Sequence, residues 1–225
     1  MAFQIVVLVS GFGSNLQALI EASRASSSVF SIQAVISNRN DAYALERAQA
    51  ANIPTFVITA TAGQTRENYD QILSQHLKSF NPDLIVMAGF MRILSASFTE
   101  QWHHKLINIH PSLLPKYPGL NTHQRAIEAG DDRHGISVHY VNAEVDGGTI
   151  IAQADLAIES NDTPQKIAQR VHQLEHQLLP KVVMAIARGE ICYSKADGLV
   201  YHHGHCITHP LAMTDLISSS TTEFA

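Results

Sequence analysis

The sequence predicts an α/β fold: a Rossmann-like, doubly wound, mostly parallel sheet with helices on both faces and an antiparallel C-terminal addition. Three observations predict it. Short apolar runs alternate with helical patterns through the first half. The first run, Ile5–Val9, is continuously apolar, as a strand covered on both faces must be. A glycine-rich turn then stands between that run and the first helix.

The elements follow in order. Leu16–Ala25 has helical composition, Ile32–Ser37 reads as a second strand and Tyr43–Ala51 as a helix. Thr55–Ile58 is a third strand; a longer helix over Arg66–Phe80 is stopped by Asn81-Pro82. Leu84–Ala88 and Lys105–His110 are the fourth and fifth strands. Ser112–Thr122, with two prolines and a glycine, is an ordered functional loop. Gly135–Val141 and Ile150–Ala157 are strands joined through Asp146-Gly147-Gly148, hence antiparallel. Ile167, Val171, Leu174 and Leu178 form one stripe of a helix interrupted near Pro180. From Glu190 the pattern weakens, and Ser218–Thr222 has the composition of a frayed terminus.

Composition narrows the function. The 225 residues carry 15 Lys+Arg against 20 Asp+Glu, a net charge of -5, which argues against nucleic acid as a partner. No apolar stretch reaches the ~18 residues of a membrane span, and the first strand has no basic leader and is too short for a signal core. Cys192 and Cys206 form neither a disulfide framework nor a metal knuckle. A cytoplasmic protein is expected. The 13 histidines, His202-His203-Gly204-His205 among them, match no metal-binding spacing, so no metal is expected and the tail reads as solvated.

Ser10-Gly11-Phe12-Gly13-Ser14-Asn15 opens the first helix. Glycine amides at a helix N-terminus can approach an anion closely, and Ser14 and Asn15 add donors. An ordinary turn capped by Ser14 or Asn15 is the competing reading. A dinucleotide site is disfavoured: Leu16 replaces the third glycine, and the second strand ends Ser37-Asn38-Arg39 without an acid for the ribose.

In Leu106-Ile107-Asn108-Ile109-His110-Pro111, the period of two puts Asn108 and His110 on one face at a strand's carboxyl end. An amide and an imidazole so placed can hold one small electrophile where open α/β sheets bind ligands. Asp146, read from its neighbours alone, is a plain Asp-Gly turn residue. If its carboxylate faces His110, it favours the imidazolium. Met87 and Met91, from the residues alone, read as plain core packing, and Lys116 reads as an exposed loop lysine.

At these residues the chain resembles the folate-dependent phosphoribosylglycinamide formyltransferases. The resemblance runs from the first strand to about Glu190. It covers Gly13-Ser14-Asn15, Ala88 through Leu94, Asn108 through Gly119, Ser137-Val138-His139 and Asp146-Gly147-Gly148. It implies a formyltransferase domain over residues 1–190, with 191–225 an extension packed on it or trailing from it. It also implies formyl transfer from 10-formyltetrahydrofolate, a cosubstrate, to the glycinamide amine of a ribonucleotide, with no tightly bound cofactor. Asn108, His110 and Asp146 then form the catalytic group. Gly13, Ser14 and Asn15 hold the ribose phosphate, and Glu175 contacts the same nucleotide. Arg66, Met91, Arg92, Ile93, Leu94 and Asn108 take the folate. The partners implied are small molecules, and the protein is a monomer or homodimer. Phe12 departs from the family, which has a small or polar residue between the glycines.

Expected chemistry follows from the group. Attack by the amine charges the formyl oxygen, which Asn108 and protonated His110 stabilise, while His110 with Asp146 moves the proton. A formyltetrahydrofolate hydrolase is the nearest rival, but that family carries a further N-terminal domain and lacks Lys116-Tyr117-Pro118-Gly119. A methionyl-tRNA formyltransferase needs a second, basic domain. A binding module without turnover is the rival from another class.

Overall fold

The computed structural model describes residues 2–216; the frayed terminus expected over Ser218–Thr222 lies outside them. The chain builds β1 (Phe3–Val9), α1 (Ser14–Arg24), β2 (Phe30–Ser37), α2 (Tyr43–Ala50), β3 (Thr55–Val57), α3 (Arg66–Phe80) and β4 (Leu84–Met87). It continues with α4 (Ala96–Trp102), β5 (Leu106–His110), α5 (Thr122–Glu128), β6 (Arg133–Tyr140), β7 (Ile150–Ala157) and α6 (Pro164–Ala187). The main sheet has seven strands in the order β3-β2-β1-β4-β5-β6-β7. The five strands from β3 to β5 are parallel, and β6 and β7 add antiparallel, as expected.

β1 shows why the sheet lies at the centre. Ile5, Val7 and Val9 pack with Leu16 and Leu19 of α1 and Val171 and Leu178 of α6. Val6 and Leu8 alternate to the other face, against Tyr69, Leu73 and Leu77 of α3 and Trp102 of α4. With both faces covered, all five residues are fully buried, so the run is continuously apolar.

Helix ends follow side-chain chemistry. Thr65 Oγ1 accepts from Asn68 N to start α3, and Asn81 closes it in the left-handed region at φ 46°. Ser95 Oγ accepts from Phe98 N at α4. The sequence reading leaves out α4 and α5, each seven residues long, because so short a helix shows less than two full turns of apolar period. The interruption expected near Pro180 does not occur: α6 runs unbroken for 24 residues. Leu178, Leu179, Val182 and Val183 flank the proline and are all fully buried. That packing outweighs the one backbone hydrogen bond a proline forfeits.

The segment after Glu190 is the second correction. It forms an antiparallel sheet of β8 (Ile191–Tyr193), β9 (Val200–His202) and β10 (His205–Cys206). The histidine cluster is therefore an ordered hairpin rather than a tail, with His203 and His205 exposed as expected. His203 and Gly204, at φ 49° and 80°, are the two central residues of a tight hairpin. Ile191, Val200, Leu211 and Leu216 join the core beside α6. Leu211 N donates to Ile151 O and Gln153 N to Leu211 O, which covers the outer edge of β7. Among the described residues no helix is long and apolar enough to cross a membrane.

Candidate active site

The site forms where β1, β4 and β5 end, beside the turn between β6 and β7. β5 delivers Asn108 and His110 to one side while Ile109 enters the core. The β6–β7 turn brings Asp146 across to meet both: Asn108 Nδ2 lies 3.4 Å from Asp146 Oδ1, and His110 Nδ1 lies 3.3 Å from Asp146 Oδ2. Asp146 is therefore more than a turn residue. It sits at φ 53°, and the turn closes because a Cβ on Gly148 would lie 1.7 Å from Tyr140 O.

Three further groups fix this carboxylate and its partners. Gly119 N donates to Asp146 Oδ2 at 2.8 Å, tying in the loop after β5. His110 Nε2 donates to Tyr117 O at 2.9 Å. Both ring nitrogens of His110 thus face oxygen atoms. His139, paired directly with Asn108 across β5 and β6, has Nδ1 2.9 Å from Tyr140 O and Nε2 3.2 Å from Asn108 Nδ2. Burial holds the His139 ring below its ordinary pKa, so it is neutral. With Nδ1–H given to Tyr140 O, Nε2 accepts from Asn108 and sets which way that amide points.

The loop itself is braced from outside. Lys116 is an exposed loop lysine, as expected, and its Nζ lies 2.8 Å from Asp131 Oδ1. Tyr117 Oη donates to Asp131 Oδ2 at 2.8 Å, and Arg125 Nη1 donates to Pro118 O at 2.6 Å. α5 is pinned to β6 by His123 Nδ1 against His134 Nε2 at 2.9 Å, and burial pushes His134 down to about 4.

Asn108, Asp146 and Arg92 each border two cavities. The larger, of about 750 Å³, is lined also by Met91, Ile93, His110 and Leu120. The smaller, of about 120 Å³, lies beyond Leu94 and Phe90 towards His139. Met91 and Ile93 are exposed apolar side chains at the larger mouth, while Met87 is buried in the core. Arg92 stacks 3.7 Å above the Tyr69 ring, and its Nε is buried without a partner. Burial raises the Tyr69 hydroxyl to about 12, so it stays neutral there. Arg66 is not brought to these walls; it lies exposed in the first turn of α3.

The glycine loop forms a neighbouring site. Gly13 caps α1 at φ 76° with no side-chain cap, so neither Ser14 nor Asn15 serves as the cap. Asn15 instead donates Nδ2 to Glu175 Oε2 at 2.9 Å in a buried pair. Burial raises Glu175 above the ordinary carboxyl range, which the Asn15 hydrogen bond partly offsets. Ser14 lines a separate groove with Phe12, Arg47 and His176. Ser10 links the two sites by accepting from Met91 N at 2.7 Å. His123 lines the larger cavity and is held below its ordinary pKa chiefly by burial, with His172 of α6 and His110 contributing. Among the described residues no group of three or more His, Cys, Asp or Glu could hold a metal ion.

His123 and His134 do not stand out in the sequence, and His139 enters only with Ser137-Val138-His139 of the resemblance, without a role. The signal for His139 is the strand register, which places it opposite Asn108 and which no local pattern states.

Residues 3–183 match the formyl transferase family. The chain is 48% identical over 187 residues to a phosphoribosylglycinamide formyltransferase of Escherichia coli, covering 83% of this chain and 88% of that one. A Haemophilus influenzae protein of the same name is 44% identical over 91% of this chain and 95% of its own. A solved phosphoribosylglycinamide formyltransferase from Coxiella burnetii superposes with a TM-score of 0.89 at 45% identity, over 94% of this chain and 99% of that one. The chain belongs to the formyl transferase family.

Proposed function

We propose that the protein is a phosphoribosylglycinamide formyltransferase. It transfers a formyl group from 10-formyltetrahydrofolate to the amine of the glycinamide ribonucleotide, releasing tetrahydrofolate, in purine synthesis in the cytoplasm. It works on these two small molecules as a monomer or homodimer, with no tightly bound cofactor. The observation that carries the chemical reading is the convergence of Asn108, His110 and Gly119 N on the single carboxylate of Asp146.

The amine attacks the formyl carbon, and negative charge grows on the formyl oxygen. Asp146 holds Asn108 Nδ2 and His110 Nδ1 by its longer contacts, 3.4 and 3.3 Å. These two N–H groups turn to the oxygen as it charges, each contributing about 3 kcal/mol. Asp146, released from them, takes the proton from the new ammonium directly or through a water and passes it to the folate nitrogen, whose bond to carbon then breaks. The folate lies in the two cavities beside Arg92, with Met91, Ile93 and Leu94 against its rings and Arg92 offering an unpaired cation to its carboxylates. Arg66, exposed on α3, lines neither cavity and has no part in the folate site. Gly13, Ser14, Asn15 and Glu175 hold the nucleotide.

The experiment is consumption of 10-formyltetrahydrofolate with and without glycinamide ribonucleotide. Turnover that requires the nucleotide is expected. Equal turnover without it makes the protein a hydrolase, and none in either case makes it a binding module.

A further inference from the structure

The glycine loop is braced from behind by α2, and Arg47 is the residue that does most of it. Arg47 Nε donates to Phe12 O at 3.0 Å, and its Nη1 reaches Gln17 Oε1 of α1 at 3.3 Å. Its guanidinium lies 4.5 Å from the Phe12 ring centroid and 4.9 Å from that of Tyr43. The two rings are stacked on each other at 5.3 Å. One residue earlier, Ala44 N donates to Gly11 O at 3.0 Å. Gly13 packs so closely here that a Cβ would stand 2.6 Å from Ala44 Cβ.

These contacts have a directional consequence. In a trans peptide the carbonyl and the following N–H point opposite ways, and the peptide bonds Gly11-Phe12 and Phe12-Gly13 are trans. Drawing the carbonyls of Gly11 and Phe12 back onto α2 turns the N–H groups of Phe12 and Gly13 outward, away from α2. Phe12, exposed in its own right, serves as the lid of the stack that keeps the guanidinium flat against the loop.

We infer that Arg47 is a positioning residue for the substrate's phosphate: by holding Phe12 O it aims the loop amides at the anion, with the Phe12–Tyr43 stack fixing its own orientation. The inference rests on the reading of the glycine loop as the phosphate site. It also gives Phe12 a purpose, since a small residue at that position offers no face for Arg47 to stack on.

The test compares two acceptors, glycinamide ribonucleotide and the phosphate-free glycinamide riboside, in the wild-type protein and in Arg47→Ala, Arg47→Lys and Phe12→Ala. Arg47→Ala is expected to lower kcat/KM for the nucleotide about tenfold, mainly through KM, as loss of a hydrogen bond to a charged group does. The riboside's kcat/KM and the KM for 10-formyltetrahydrofolate should not change. Arg47→Lys keeps the charge but not the fork, and should recover only part of the loss. Phe12→Ala should give a smaller loss with the same selectivity for the nucleotide, which keeps the test open if Arg47→Ala fails to fold in a thermal melt. An equal loss on nucleotide and riboside, or full recovery in the lysine variant, overturns the role given to Arg47. A wild-type protein that does not prefer the nucleotide overturns the phosphate reading beneath it, leaving the formyl-transfer centre at Asp146 unaffected.

Discussion

Asn108 illustrates how a side chain of no unusual type becomes useful through its neighbours. Its amide could point either way, but His139 Nε2 can only accept, so the NH2 group is directed towards it and towards Asp146. Replacing His139 with leucine should cut kcat about tenfold with little change in nucleotide KM, and glutamine should recover part of it. Steady-state kinetics of the two variants test this; unchanged kcat in the leucine variant removes His139 from the account. The facing of Asn108 and His110 was legible because strand periodicity determines it. The place of Asp146 was not, because a residue before two glycines reads first as a turn, and only long-range pairing brings it to His110. The same holds for Lys116, whose partner Asp131 lies 15 residues along the chain.

Among the elements, those with a strong period were legible and those defined by tertiary contact were not. β1 and α3 carry their patterns and caps in their own residues. α4 and α5 are too short to do so, and the unbroken course of α6 through Pro180 depends on a core the helix meets only after folding. The tie between α5 and β6 makes a testable case. An unfolded chain protonates His134 near 6.5, whereas the folded chain does so only near 4. The unfolded state therefore binds more protons between those values. The stability that neutral His134 contributes is complete above about 6.5 and is lost as pH falls towards 4, amounting to no more than about 3 kcal/mol. Urea unfolding of the wild type and of His134→Asn should diverge least at pH 4 and most above 6.5. Parallel curves at every pH contradict this.

Across the whole molecule, the sheet brings the two proposed substrate sites side by side. The parallel strands end together, so the glycine loop after β1, the Met91 loop after β4 and the Asn108–His110 pair on β5 all open on one edge. The added β6–β7 hairpin supplies Asp146, and α6 supplies Glu175. The described residues after Glu190, 191–216, take no part in this edge. They cover β7 and the end of α6, a function invisible in their sequence because strands of two or three residues show no period. The most direct test of this arrangement is Asp146→Asn, which keeps the shape of the carboxylate but takes away its charge and basicity. Transfer of labelled formyl to glycinamide ribonucleotide, measured beside the affinity for that nucleotide, should show kcat reduced by about 10²-fold or more with affinity changed less than about threefold. An unchanged kcat, or a loss of affinity as large as the loss of turnover, contradicts the placing of Asp146 at the centre of the chemistry.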